Sequence, residues 1–238
     1  MFDFKDKVII VTGASGNLGQ AVARAFHAAE AHLVLVDRSA ERLAGLYADL
    51  AADHAHYLAG SVDVNDAASV QGMVQEAVHR FERVDVLVSA VGGYRVGTPV
   101  HETPLDVWDE LFSLNARTAF IASQAVVPQM LRQRSGKIIN IAARSGLAGK
   151  ANVAAHSASK AAVIRLTESL SAELRDFGIN VNCIVPGTID TPQNRQAMPE
   201  ADTGRWVAPE SLADVILFLA SDAARDVHGA SLPVLGRS

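Results

Sequence analysis

The chain has 238 residues, 49% of them hydrophobic, and a formal net charge of −5. This length suffices for one well-buried α/β domain, which we expect to span residues 1–238. The acidic balance and the lack of any lysine or arginine cluster exclude a broad nucleic-acid surface. We therefore expect no nucleic-acid partner. No uncharged apolar run is long enough to cross a bilayer, so we also expect no membrane partner.

Cys183 is the only cysteine, so a disulfide within the chain is impossible. The first residues include acids and lack the basic head and the small-residue cleavage site of a secretory signal. These features predict a cytoplasmic protein, and we assign no metal ligands.

Short apolar runs, rich in valine and isoleucine, recur along the chain and predict strands that are buried on both faces. They cover residues 8–11, 33–36, 56–59, 84–88, 138–141, 181–185 and 231–235. Helical periodicity lies between them, first on the face of Leu18, Val22, Ala25 and Phe26, then at residues 67–80, 104–133, 157–176 and 209–219. The alternation predicts an α/β fold with a parallel sheet and right-handed crossovers.

Residues 188–207 form the one irregular stretch, which contains Pro192 and Pro199. A segment of this kind at the carboxyl end of a strand is where a lid over a ligand would lie. We expect it to cover a small-molecule substrate. Its short length favours a small or medium ligand over a long acyl chain.

The first predicted strand runs directly into the sequence TGASGNLG, residues 12–19, and then into an amphipathic helix. Glycines allow a tight turn and a close approach of the backbone to a diphosphate, whose charge the free N–H groups of the helix start would hold. We therefore expect this turn to bind a dinucleotide. The expected contacts are Gly13, Ser15, Gly16, Asn17, Leu18 and Gly19.

An acid, Asp37, follows the second predicted strand, 18 residues past Gly19. This is close to the spacing of about 20 for the acid that binds a ribose. Its carboxylate can accept hydrogen bonds from both ribose hydroxyls and would repel a 2′-phosphate, so NAD is favoured over NADP. Arg38 blurs this preference, because an arginine there could pair with such a phosphate. A solvated glycine turn without a ligand is the weaker interpretation, since strand, helix and acid coincide.

Beyond this turn the chain resembles the short-chain dehydrogenase/reductase family over nearly its whole length. The residues that carry the resemblance are Asp63-Val64, Ser89-Ala90-Val91-Gly92, Trp108, Asn115, residues 136–141, residues 179–187 and Thr191. The resemblance implies a single-domain, Rossmann-like, doubly wound parallel sheet of about seven strands in the order 3-2-1-4-5-6-7. It also implies NAD(P)-dependent hydride transfer between nicotinamide and an alcohol or a carbonyl compound.

The resemblance further implies where the rest of the cofactor would bind. Asp63 and Val64 are expected at the adenine, Lys160 at the nicotinamide ribose, and Thr191 at the nicotinamide half. The remaining expected contacts are Ala90, Gly92, Pro186, Gly187 and Ile189.

The chain departs from the family at two catalytic positions. The family uses Asn, Ser, Tyr and Lys, the last two as Tyr-x-x-x-Lys. Asn115 and Lys160 match, but the tyrosine position holds His156 and the serine position, 13 residues earlier, holds Ala143. The hydroxyl that steadies the substrate and the phenol that moves the proton are therefore both replaced.

His156 can carry a proton, but under other conditions than a tyrosine. A histidine pKa starts near 6.5, and the Lys160 cation should lower it, so His156 should be mostly neutral at neutral pH. Neutral imidazole accepts a proton from an alcohol but is a poor proton store for a carbonyl. We expect alcohol oxidation to be favoured and reduction to improve on acidification. An interpretation of equal weight is that His156 only lines a binding pocket and has no catalytic role.

Two further assignments stay open. Ser145 shares the face of Ala143 if the strand continues there, and Ser157 lies beside His156, but both are more readily interpreted as ordinary loop and helix-start serines. Asn115 is catalytic or a buried polar group that keeps two helix turns apart.

Three functions fit these observations: an NAD-dependent oxidoreductase with altered proton transfer, an inactive NAD-binding regulatory protein, and a structural subunit that pairs with an active relative. The segments at residues 104–133 and 157–176, which the family uses for self-association, carry more apolar residues than one core-facing stripe needs. We therefore expect a homo-oligomer, either a dimer or a tetramer.

Overall fold

The strands lie in one parallel sheet in the order β3-β2-β1-β4-β5-β6-β7. The structure is a computed structural model, and it describes residues 2–95 and 97–237. The strands are β1 (Val8–Thr12), β2 (His32–Val36), β3 (His56–Ala59), β4 (Val86–Ser89), β5 (Gly136–Ile141), β6 (Ile179–Pro186) and β7 (Ser231–Val234). Their number, order and parallel pairing confirm the predicted fold. The apolar runs are continuous because helices cover both faces of the sheet.

The helices cross between the strands and divide between the two faces. They are α1 (Asn17–Ala28), α2 (Ala40–Leu46), α3 (Ala67–Phe81), α4 (Leu105–Phe112), α5 (Thr118–Gln133), α6 (Arg144–Leu147), α7 (Ala154–Leu174), α8 (Pro192–Ala197) and α9 (Pro209–Ala220). On one face α1 packs against α9, and on the other α3 packs against α5. Within the described residues, no helix combines the length and the apolar character needed to cross a membrane.

The predicted helix at residues 104–133 is not one regular helix. A π-helical turn, Ser113–Arg117, separates α4 from α5. This turn carries Asn115, whose side chain is buried and only 1% exposed. Such turns widen a helix locally and occur frequently at functional sites. Apolar periodicity did not predict it, because the 3.6-residue pattern continues on either side.

Two other boundaries differ from the prediction for local reasons. The strand predicted at residues 84–88 begins only at Val86, because the buried Asp85 carboxylate accepts hydrogen bonds from the Val8 N–H (2.9 Å) and from Arg83 Nε (2.7 Å). Helix α2 was not predicted. It begins after Ser39, whose hydroxyl caps it by accepting from the Arg42 N–H at 3.2 Å.

The irregular stretch at residues 188–207 is partly helical. Thr191 caps α8 by accepting a hydrogen bond from the Asn194 N–H at 3.1 Å. A parallel bridge between Ile189 and Val207 joins the two ends of the stretch. The segment therefore projects from the carboxyl edge of the sheet, and its first and last residues are held together there.

Candidate active site

The turn between β1 and α1 is built around two glycines that touch. Gly13 has a φ of +67°, a conformation that favours glycine. A Cβ placed on Gly19 would lie only 2.1 Å from the Gly13 carbonyl oxygen, so any larger residue would force the turn apart. Gly16 is the N-cap residue of α1, and within residues 2–95 and 97–237 no side chain caps this helix start; its first turn holds no acid. The free N–H groups there are open to an anion.

The Asp37 carboxylate is attached to this turn. Its Oδ2 accepts hydrogen bonds from the Ser15 hydroxyl (2.6 Å) and the Ser15 N–H (3.2 Å), and its Oδ1 accepts from the Ser39 N–H (3.1 Å). Partial burial raises the pKa of Asp37, but these hydrogen bonds outweigh it, and the pKa lies below its usual value. An ionised carboxylate is therefore held beside the glycine turn, as the spacing in the sequence predicts.

Two residues that the sequence analysis missed also hold the turn. The Arg42 guanidinium, on α2, donates to the Ser15 carbonyl at 3.0 Å, and the buried Tyr47 hydroxyl donates to the Ala14 carbonyl at 2.7 Å. The predicted Arg38 side chain is exposed. The Ser39 cap was the available signal for α2, and finding that helix would have pointed to Arg42.

Asn115 connects the loop after β4 to α7. Its Oδ1 accepts from the Gly93 N–H (2.9 Å), and its Nδ2 donates to the Gly93 carbonyl (3.1 Å) and to the Ser159 hydroxyl (2.9 Å). A Cβ on the neighbouring Gly92 would lie 3.0 Å from both Asn115 Oδ1 and Lys160 Nζ. Asn115 therefore fixes the position of a backbone loop that lies against Lys160.

Lys160 is a buried cation on α7, with 5% of its surface exposed. Its ammonium donates to the Ile141 carbonyl at 2.8 Å, at the end of β5. Burial lowers the pKa of Lys160 to about 8. The ammonium is still mostly protonated at neutral pH, and it lies where the carboxyl ends of β4 and β5 meet.

His156 lies one helical turn before Lys160 and is equally buried, with 5% exposed. Its Nδ1 lies 2.9 Å from the Ser145 hydroxyl, and the Tyr94 ring packs edge-on against it with centroids 4.8 Å apart. Burial lowers the pKa of His156 to about 4, and the Lys160 cation contributes to the shift. The predicted direction is confirmed, although burial contributes more than the cation. His156 is therefore neutral at neutral pH.

The two serines differ in their contacts, and the expectation that both are ordinary stays a prediction. Strand β5 ends at Ile141, so the alternation that would align Ser145 with Ala143 does not apply. Instead the short helix α6 brings the Ser145 hydroxyl to His156. The Ser157 hydroxyl is buried and has no hydrogen-bond partner among the described residues.

A cleft of about 690 Å³ at the carboxyl edge of the sheet collects many of the predicted site residues. Those that line it are Leu18, Ala90, Gly92, His156, Lys160, Pro186, Gly187 and Ile189. Asn194 and Met198, from the irregular stretch, line it on one side, and Tyr94 and Ser145 also contribute. Tyr94 was missed, although it lies in the loop that follows β4 on this edge.

Other predicted residues lie outside this cleft. Asp63 is exposed and Val64 half-buried in the turn after β3. Thr191 and Asn17 line a separate groove of about 750 Å³ beside α9. Asn17 Nδ2 also donates to the Gln193 side chain at 2.8 Å, which links the glycine turn to α8.

Comparison with known proteins agrees with this architecture. The family described as short chain dehydrogenase matches residues 7–202. The chain is 35% identical to D-threitol dehydrogenase of Mycolicibacterium smegmatis over 99% of this chain and 94% of the relative. It is 34% identical to meso-2,3-butanediol dehydrogenase of Serratia marcescens, over 98% and 94% respectively. The crystal structure of an NAD⁺-bound xylitol dehydrogenase superposes with a TM-score of 0.90 at 28% identity, covering 98% of this chain and 99% of that one. The chain belongs to the short-chain dehydrogenase/reductase family.

Proposed function

We propose that the chain is an NAD-dependent oxidoreductase that moves a hydride between nicotinamide and a small alcohol or carbonyl compound, with His156 carrying the proton. The cleft that brings His156 and Lys160 together beside the loop after β4 is the observation that supports this most. Two of the relatives above are named as dehydrogenases of alcohols, which favours an alcohol as the substrate. Residues 188–207 then serve as the lid, since Asn194 and Met198 line the cleft.

The residues present fit a nicotinamide dinucleotide. The touching glycines leave a bare backbone surface at the uncapped start of α1, which suits a diphosphate. When bound, the nicotinamide would accept a hydride from an alcohol or give one to a carbonyl. The residues that would hold the cofactor are Gly13, Ser15, Gly16, Asn17, Leu18, Gly19, Asp37, Arg38, Asp63, Val64, Ala90, Gly92, Lys160, Pro186, Gly187, Ile189 and Thr191.

The charges near the ribose position favour NAD over NADP. Hydrogen bonds from Ser15 keep the Asp37 carboxylate ionised, and an ionised carboxylate repels a 2′-phosphate. Arg42, which contacts this turn, already donates to the Ser15 carbonyl, and pairing with a phosphate would compete with that bond.

Alcohol oxidation is the direction that His156 supports at neutral pH. A neutral imidazole can accept the hydroxyl proton of an alcohol. With its pKa at about 4, His156 is a weak base, so we expect slow turnover. Ala143 offers no hydroxyl to the substrate oxygen, which slows the reaction further.

Turnover tests this proposal with a matched variant. Oxidation of D-threitol, meso-2,3-butanediol and xylitol by NAD⁺ is followed by NADH absorbance in the wild type and in the double variant His156→Tyr/Ala143→Ser. A tyrosine beside the Lys160 ammonium has a lowered pKa and can act as the base. We expect slow oxidation in the wild type and a rate higher by about tenfold or more in the double variant.

An NAD-binding regulatory or structural subunit without turnover is the second candidate. The absent hydroxyl at Ala143 and the low basicity of His156 favour it. If the wild type binds NADH but oxidises none of a broad panel of alcohols, while the double variant does, the pocket is intact and the natural chain is this inactive subunit. If both proteins bind NADH and neither oxidises any alcohol, the result would also support the second candidate.

We also propose that the protein forms a homo-oligomer, either a dimer or a tetramer. Helices α4 and α5 leave large apolar side chains exposed, among them Leu105, Trp108 and Phe120. Burial of these side chains against a second copy would remove apolar surface from water. Light scattering of the purified protein measures the oligomeric state directly.

A further inference from the structure

The His156 imidazole is held by neighbours from two other segments at the wall of the cleft. Its Nδ1 lies 2.9 Å from Ser145 Oγ, which follows β5. The Tyr94 ring, which follows β4, packs against it at an interplanar angle of 88°. Lys160 is the cation that acts on it from α7. The ring orientation is therefore set from outside α7 as well as by the helix.

The other ring nitrogen of His156, Nε2, is available to a molecule bound in the cleft. Within the described residues Nε2 has no hydrogen-bond partner. It is also not fully buried, because it is absent from the set of fully buried polar atoms without a partner. Those atoms are Ser89 Oγ, Asn140 Oδ1 and Ser157 Oγ. Since His156 lines the cleft, Nε2 is the nitrogen that a bound molecule can reach.

The tautomer of His156 decides what Nε2 can do. If Ser145 donates its hydroxyl proton to Nδ1, the imidazole proton lies on Nε2, and no lone pair faces the cleft. If Nδ1–H donates to Ser145 Oγ instead, Nε2 carries the lone pair and can accept a proton. Because burial and the Lys160 cation keep the ring neutral, the tautomer and not the charge separates a base from a mere donor.

We propose that Ser145 is a positioning residue that accepts the Nδ1–H of His156 and thereby presents the Nε2 lone pair to the substrate hydroxyl. This rests on the proposed function, because it assigns Ser145 to the same proton transfer. During alcohol oxidation the substrate O–H bond breaks and an Nε2–H bond forms, while the hydride leaves the carbon for the nicotinamide, which is the oxidant. The Nδ1–H···Oγ bond persists and disperses the new positive charge. The proton then leaves Nε2 for solvent through the cleft.

Nitrogen NMR of histidine-labelled protein tests the positioning role without a substrate. The ¹⁵N shifts distinguish the two neutral tautomers, and a His156→Gln variant identifies the signal. We expect the Nδ1–H tautomer in the wild type and in Ser145→Thr, which keeps a hydroxyl. In Ser145→Ala the acceptor is lost, and the population should shift toward the Nε2–H tautomer. Alcohol oxidation should fall about tenfold or more in kcat, with NADH affinity unchanged and partial recovery in Ser145→Thr.

Ser157→Ala is the matched control, because Ser157 follows His156 in the sequence but its hydroxyl has no hydrogen-bond partner in the part of the chain that the structure describes. It should change neither the tautomer nor the rate. An Nε2–H tautomer in the wild type, or a tautomer indifferent to Ser145→Ala, would overturn the positioning role whatever the activity. A tautomer that responds as expected in a protein that oxidises no alcohol would instead leave Ser145 in place and count against the proposed function.

Discussion

The consequence of a single replacement is clearest at His156. A tyrosine at this position starts from a pKa near 10, which the neighbouring ammonium lowers toward neutrality. A histidine starts near 6.5, and burial together with the Lys160 cation lowers the pKa of His156 to about 4, away from neutrality. The Lys160 cation lowers the pKa of either group, which brings a phenol closer to use at neutral pH but takes an imidazole further from it.

The pH dependence of carbonyl reduction follows from this shift. Reduction needs a proton on His156, and above a pKa of about 4 the protonated fraction falls about tenfold for each pH unit. The rate of NADH-dependent reduction should therefore rise steeply as the pH is lowered from about 8 to about 5. Initial rates in both directions, corrected for the acid decomposition of NADH, measure this. Reduction that stays level or slows on acidification would remove His156 from the proton transfer.

The site residues differ in how well the sequence predicted them. Asp37 and the glycine turn were predictable because strand, turn and acid each leave a local pattern. The contact between Ser145 and His156 was not, because it depends on where α6 begins after β5 ends. A contact between two segments, unlike a motif, has no fixed spacing in the sequence.

Among the elements, the strands were the most predictable. A strand covered on both faces must be apolar throughout, so its run of valine and isoleucine marks it directly. The π-helical turn at Ser113–Arg117 has no such mark, because it inserts into a helix whose periodicity is otherwise regular. Helix α2 was missed because its seven residues are too short for a periodic pattern to be recognised.

The junction of β1 and α1 yields a prediction about stability. Gly19→Ala places a methyl group against the Gly13 carbonyl, at 2.1 Å from its oxygen, and should destabilise the protein by about 1–3 kcal/mol and weaken NADH binding. Urea unfolding and NADH fluorescence measure the two effects.

Gly45→Ala is the control for this prediction. Gly45 lies inside α2, and a Cβ there meets nothing within 4 Å. Alanine restricts the unfolded chain, so this variant should gain about 0.5–1 kcal/mol. Equal effects of the two substitutions would show that the Gly13–Gly19 contact is not what makes glycine necessary at position 19.

For the whole molecule, burial of His156 links folding to pH. Its pKa is about 4 in the folded state and near 6.5 in the unfolded chain, so the unfolded chain binds more protons between these values. The free energy of unfolding therefore rises with pH across this window, by about 3 kcal/mol from this group. Below about pH 4 the folded protein lacks this contribution.

Urea unfolding at several pH values isolates that contribution. The difference in unfolding free energy between the wild type and His156→Gln should grow as the pH rises from about 4 to about 6.5 and then level off. A constant difference for His156→Gln would contradict this account, because it would mean that folding does not lower the pKa of His156.

Binding of the reduced cofactor is the property on which the whole account depends, because the glycine turn, Asp37 and Lys160 are all assigned to it. Fluorescence titration of the purified wild type with NADH and with NADPH measures it directly. We predict saturable NADH binding at micromolar concentrations, with NADPH weaker by about tenfold or more. No saturable response to either nucleotide up to millimolar concentrations would contradict the account.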